Sequence, residues 1–175
     1  RRADDEFARA AHTASPAWAS FFTVTDLFGI TGVVYTELAL TVDPEYTRLA
    51  VPALSAAIDG FNQDMTRSKA FCLIALATCH LVLDELDDAV AVGKHAIELC
   101  QGLASARTTA RLRSLRNEAT RRSSDRRARE LVKRIDAFEQ TGPGTGETVM
   151  SRVTSISDHL RHHSGKFRPP GHGPG

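Results

Sequence analysis

The apolar positions of this chain fall into helical stripes broken by capping residues. Between Ser15-Pro16 and Leu38, the residues Trp18, Phe21, Phe22, Leu27, Ile30, Val34 and Leu38 fall mostly three or four apart, which predicts an amphipathic helix. Ser15 can cap its free amides and Pro16 suits its first turn. Gly29 and Gly32 either weaken this helix or let a neighbour cross it closely. Asp43-Pro44 repeats the start signal for a helix to about Phe61, which Pro52 should kink by removing an amide donor. Thr66 to Leu83 is the most apolar stretch. Asp84 to Asp88 reads as a turn, followed by a helix from Ala89 to Gln101 with Gly102 as a left-handed terminator. Ser105 then caps a helix to about Arg121, and Ser124 caps another to about Gln140. An opening helix over Asp4–Ala11 reads as half of a hairpin whose partner lies outside the chain, which looks like a piece of something longer.

A longer period overlies these stripes. Ala50, Ala89 and Ala128 stand 39 residues apart, and each has a small or branched apolar residue seven positions on, at Ala57, Ala96 and Ile135. Leu73 and Leu76 recur as Leu112 and Leu115. A fixed period of this size marks one structural unit repeated, here a helical hairpin.

Composition adds two points. The net charge is only +1, yet it is unevenly spread: residues 1–106 are acidic and the Arg-rich stretch 107–134 is basic. Such asymmetry marks either a polyanion-binding end or solvated helix faces. The last segment, 142–175, holds 7 of the 12 glycines and 4 of the 7 prolines. Apart from a weak helix over Thr148–His162 it cannot build a core, so it is expected to be a flexible tail. Cys72, Cys79 and Cys100 lie inside apolar helical runs, as buried thiols of a reducing cytoplasm do. No secretory signal is visible, and the apolar run Ala70–Leu83 is too short to span a bilayer.

Within 66–101, Leu73, Leu76, Ala77, Ala89 and Ala96 resemble a tetratricopeptide repeat, with His80 at the usual Tyr position and Gly93 at the usual aromatic one. The strings Ser-Pro-Ala-Trp-Ala-Ser-Phe-Phe (15–22), Asp26-Leu27 and Gly32, and the stretch Ser105-Ala106-Arg107 to Leu115-Arg116, resemble the C-terminal regions of high-GC bacterial helix-turn-helix regulators over about residues 5–139. The resemblance implies an all-α fold: a right-handed α-solenoid of about three helical hairpins over residues 1–141, followed by the tail at 142–175. It also implies the sensory or interaction region of a cytoplasmic transcriptional regulator, binding a peptide, a small signal molecule or a partner protein. DNA would be contacted only through an N-terminal domain outside this chain, and a homodimer is one assembly such a region could form. The alternative is a stand-alone adaptor for protein–protein interaction without DNA binding.

First helices of such repeats line a concave face where partners dock. Register places Phe71, Ile74, Thr78 and Leu81 there in the second unit. The equivalent face of the third unit carries Arg113 and Asn117, four apart and so on one side of a helix. An Arg fork beside an Asn amide can hold a carboxylate, although the other positions of a tetratricopeptide carboxylate clamp fall on Ala75, Ala110 and Ser114. The stretch 107–134 has no aromatic residue for base stacking, which argues against direct nucleic-acid contact. The tail histidines His159, His162, His163 and His172 lack a framework of further ligands, so no metal is expected. Cys72, Cys79 and His80 read as core residues. No phosphate-binding glycine loop, nucleophile elbow or H-E-x-x-H is present, so neither a cofactor nor an enzyme is expected.

Overall fold

The computed structural model describes residues 22–103 and 105–141. The expected helices at 4–11 and 148–162, the Ser15-Pro16 start with Trp18 and Phe21, and the tail lie outside these residues. Among the described residues the fold is all-helical, with six α-helices and no strand. They are α1 (Val24–Thr41), α2 (Thr47–Gly60), α3 (Thr66–Val82), α4 (Leu86–Cys100), α5 (Ala106–Thr120) and α6 (Arg126–Thr141). Successive pairs α1–α2, α3–α4 and α5–α6 pack against each other; α1, α3 and α5 also pack in sequence, and α4 packs on α6. No helix among the described residues is long and apolar enough to cross a membrane.

The 39-residue beat is the seam of the hairpins. Ala50 and Ala57 of α2, Ala89 and Ala96 of α4, and Ala128 and Ile135 of α6 are all 0% exposed. Small side chains at these points let helix axes come close enough for ridge-and-groove packing. Gly32 serves the same end from α1. A Cβ there would stand 2.6 Å from Leu54 Cγ and 3.1 Å from the Leu54 amide nitrogen, so of the two roles open to this glycine the structure shows the close crossing. Gly93 on α4 likewise leaves room for Leu131 of α6, whose Cδ1 would lie 2.8 Å from an added Cβ.

Helix α3 is the central element. One side, with Cys72, Ala75, Leu76 and Cys79, joins Ala50, Leu54, Ala57 and Phe61 in the first core cluster. Another, with Ala70, Leu73, Ile74, Ala77 and Leu81, joins residues of α4, α5 and α6 in the second. A helix used on several sides has to be apolar nearly all round, which accounts for the stretch from Ala70 to Leu83.

The helix ends differ from expectation in physically clear ways. Phe22 and Thr23 are not helical, so the stripe from 16 to 38 is interrupted, and α1 starts with its own capping box. The Thr23 hydroxyl accepts from the Asp26 amide at 3.2 Å, and Asp26 Oδ2 accepts from the Thr23 amide at 2.8 Å. The turn after α3 is shorter than 84–88, because Asp87 and Asp88 already lie in the first turn of α4. Asp84, with φ 62°, closes α3: its amide donates to the Leu81 carbonyl, and the Glu85 amide donates to the His80 carbonyl. This is a Schellman closure with aspartate where glycine is usual. Gly102, by contrast, does not have a positive φ and so is not a left-handed terminator. Asp125, rather than Ser124, caps α6, its Oδ1 accepting from the Arg127 amide at 2.7 Å. Ser105 caps α5 as expected, accepting from the Thr108 amide. Pro52 lies on the exposed side of α2, which continues past it to Gly60.

Polar brackets tie the two inter-helix turns together. Arg127 pairs with Asp87 at 2.8 Å and with Asp125 at 2.9 Å, while Arg122 reaches toward Asp84 and pairs with the buried Glu118. The Arg127 hydrogen bonds hold the Asp125 carboxyl at a pKa of about 2, below its usual 3.8.

Two predictions follow from this packing. Gly32→Ala should destabilise the protein by about 1–3 kcal/mol through overpacking against Leu54, whereas Gly102→Ala, with nothing within 4 Å of the added carbon, should stay within about 0.5 kcal/mol; urea unfolding of both variants checks this. Because the Asp125 pKa is depressed on folding, its stabilising effect is present above the unfolded value and disappears as pH falls through about 2. The melting temperature of Asp125→Asn should therefore lie below that of the parent at pH 6 and converge with it toward pH 2.

Candidate functional site

An open, largely apolar groove of about 570 Å³ runs between α1, α3 and α5. Its α1 wall is formed by Ile30, Val33 and Val34, and its α3 wall by Ser68, Phe71 and Cys72. Phe61 and Met65, from the end of α2 and the link to α3, close one side, and Arg111 of α5 stands at the other. Gly29 contributes bare backbone to the lining: a Cβ there would meet Cys72 Sγ at 3.1 Å and Phe61 Cζ at 3.3 Å. The groove is accessible, since Ile30 is 56% and Val34 51% exposed. Solvent-facing branched aliphatics on a helix that already buries its other face against α2 and α3 form an apolar strip with no partner among the described residues.

Arg111 is the principal charged group of this strip. Its guanidinium carbon lies 4.8 Å from the centroid of the Phe71 ring, a cation–π stack that holds the side chain half-buried at the groove wall. Among the described residues no carboxylate pairs with it. The nearby acids are otherwise placed: Asp26 Oδ2 is taken by the Thr23 amide and hydroxyl, and Glu37 is exposed and makes no ion pair with Arg111. Arg111 also borders a small recess of about 30 Å³ that reaches Thr36, Ile74, Thr78 and Ser114.

The expected site residues divide accordingly. Phe71 lines the groove and Ile74 and Thr78 the recess, although both are nearly inaccessible and the Thr78 hydroxyl donates to the Ile74 carbonyl of its own helix. Leu81 belongs to the core: it is 0% exposed and packs in the second cluster, so it offers no docking surface. Arg113 and Asn117 are exposed on another side of α5 and line neither cavity. Arg113 faces α6, where its Nε lies 3.6 Å from Glu139 Oε1. Register explains the shift. Cys72 plus 39 is Arg111, so counting from Cys72 of the groove reaches the groove-lining residue of α5, whereas Ile74 plus 39 is Arg113.

The other charged features are accounted for by packing. Much of the Arg-rich stretch is paired: Arg116 with Asp136, Arg121 and Arg122 with Glu118, Arg127 with Asp87 and Asp125, Arg134 with Glu130. His80 Nδ1 lies 2.7 Å from Glu85 Oε2, and with Asp88 the ligand atoms fall within 4.8 Å of one another, close enough for a divalent cation. The same placement is what the helix ends favour without an ion, since Glu85 and Asp88 sit at the positive end of α4 and His80 near the negative end of α3.

Comparisons with family models, with curated proteins and with solved structures return no match. The chemistry of the groove therefore stands on its own residues. Among the described residues it offers apolar surface, the Arg111 cation, the Asp26 carboxylate of the α1 cap and no activated nucleophile: burial pushes the Cys72 thiol up to about 11, an effect only partly offset by Arg111. Burial likewise raises Cys100 to about 11, and raises Cys79 against the opposing hydrogen bond from Thr36. All three thiols should thus react slowly with an aromatic disulfide reagent at pH 8 in the native protein and fully in concentrated urea. Rapid native reaction of Cys72 would contradict its protonated, buried state.

Proposed function

We propose that the chain is the sensory or interaction region of a bacterial transcriptional regulator. In this reading the six helices form a right-handed tetratricopeptide-like solenoid of three hairpins, and the groove lies on its concave face. The observation that supports it most directly is the make-up of the groove: its walls come from α1, α3 and α5, the first helices of the three hairpins. In a hairpin stack, side chains from successive first helices face a common hollow suited to a ligand or partner. Occupation of such a hollow biases the relative setting of the hairpins, and so the orientation of a DNA-reading domain joined to them. The unpartnered aliphatic strip on α1 supplies the apolar contact area that binding requires.

Substitutions at Ile30 and Val34 test the groove, because both are more than half exposed and can be changed without emptying the core. The neutral dye Nile red should bind the full chain with enhanced fluorescence. Ile30→Asp with Val34→Asp should weaken that binding by about tenfold or more through desolvation of the new carboxylates, with the melting temperature nearly unchanged. Unaltered dye binding by the folded double variant would overturn the groove. The regulator reading is tested separately by translating the DNA upstream of the Arg1 codon: an in-frame helix-turn-helix supports it, and an adaptor's immediate start codon overturns it.

A further inference from the structure

We propose that the groove takes a small amphiphile, an aliphatic body bearing one carboxylate, with the carboxylate on Arg111 and the chain along Ile30, Val33, Val34 and Phe71. The inference rests on the groove reading above and names the class of ligand that this groove suits. Arg111 carries the argument. A guanidinium fixed against the Phe71 ring, half-buried and with no carboxylate partner among the described residues, is a ready-made acceptor site for an anion. Elsewhere in the same stretch arginines meet acids: Arg113 faces Glu139, Arg116 pairs with Asp136 and Arg127 with Asp87. Arg111 alone among these four turns to the groove instead.

The body of the ligand follows from the walls. The α1 and α3 walls are mostly helix faces, whose backbone amides and carbonyls are hydrogen-bonded within the helices, while Met65 and Ser68 belong to the start of α3, where the first amides have no intrahelical acceptor. Beyond Arg111, the polar side chains among the described residues of the groove are Asp26, whose Oδ2 is engaged in the α1 cap, and Ser68. An extended peptide would bring an amide and a carbonyl with every residue and find few partners along the α1 wall of Ile30, Val33 and Val34, at a desolvation cost. An aliphatic chain brings none. A volume of about 570 Å³ accommodates a chain of medium length together with its head group. Charge and shape therefore select the same chemistry: one anion at the α5 end and hydrocarbon along α1 and α3.

Displacement of Nile red from the full 175-residue chain by decanoate, decanol and decylamine, all below micelle-forming concentration, is the test. Decanoate should displace the dye at about tenfold lower concentration than decanol, the increment expected of a charge-assisted hydrogen bond, and decylamine should be weakest. Arg111→Gln should abolish the preference for decanoate while dye and decanol bind as before. Arg111→Lys, which keeps the charge but not the planar fork, should retain part of it and serves if the glutamine variant fails to fold. Equal displacement by decanoate and decanol, or an undiminished preference in a folded Arg111→Gln protein, would overturn the carboxylate assignment while leaving the groove intact. Displacement by an acidic amphipathic helical peptide but not by decanoate would transfer the groove to a protein partner. Absence of any dye binding would remove the groove itself, and the inference with it.

Discussion

The close crossing of α1 over α2 at Gly32 and Leu54 governs the rest of the structure. Only a residue without a side chain lets the Leu54 backbone come within 3.1 Å of where a Cβ would stand. With α1 held that low, its buried side reaches α3 as well as α2, and Thr36 can bond both the Gly32 carbonyl and Cys79. Ala50 and Ala57 of α2, Ala89 and Ala96 of α4 and Ala128 of α6 apply the same constraint along the second helices, each fully buried and each too small to hold its neighbour away. Close approach, rather than bulk, sets this packing.

Its consequence for α3 is direct. A helix enclosed by α1, α2, α4 and α5 has little surface left outside its two ends, and part of that remainder, at Ser68 and Phe71, lines the groove. Among the described residues the groove is a flank of α3 that α1 and α5 border without closing. Rigidity there comes from the core beneath it, and from the brackets Arg122–Asp84 and Arg127–Asp87 that tie the turn after α3 to the turn before α6. Surface pairs contribute little to stability one by one; what these do is set the position of α6 relative to the α3–α4 hairpin.

The fold was largely legible in the sequence because its determinants are local or periodic. The alanine beat locates the seams, the Leu73/Leu76 and Leu112/Leu115 pairs locate equivalent core positions, and Gly32 advertises a close crossing. Helix ends were less legible because several chemistries compete for each. Asp84 takes a left-handed closure that a glycine search passes over, Gly102 lies in a turn that does not need positive φ, and Asp125 outcompetes its neighbour Ser124 by engaging both the Arg127 amide and its guanidinium. The interruption at Phe22–Thr23 was written in the Thr23-x-x-Asp26 spacing, but a continuous apolar stripe conceals a cap inside it. The site residues expected from register fall on α3 and α5, yet Ile74 leads to Arg113 and the α6 side, whereas Cys72 leads to Arg111 and the groove. Side-chain direction on a helix turns by about 100° per residue, so a choice two positions away points to another side.

That register carries a further meaning. Positions 39 apart that keep the same residue type serve the packing between helices, and the fully buried Ala89 and Ala128 illustrate it. Positions that change type while keeping their place in the geometry are free of that duty. Cys72 and Arg111 occupy one such position: both border the same groove, yet one is a buried thiol held protonated by desolvation and the other a guanidinium stacked on Phe71. Cys72 is covered because Gly29 and Phe61 pack over it, whereas α5 lies farther from α1 and leaves Arg111 facing open volume. The repeat thus accounts for why a side chain is presented at this point of α5 at all. It does not require that side chain to be charged, and a cation that pairs with no acid among the described residues, set against the Phe71 ring, is a departure that packing alone gives no reason for. A carboxylate arriving with its own hydrocarbon would supply one.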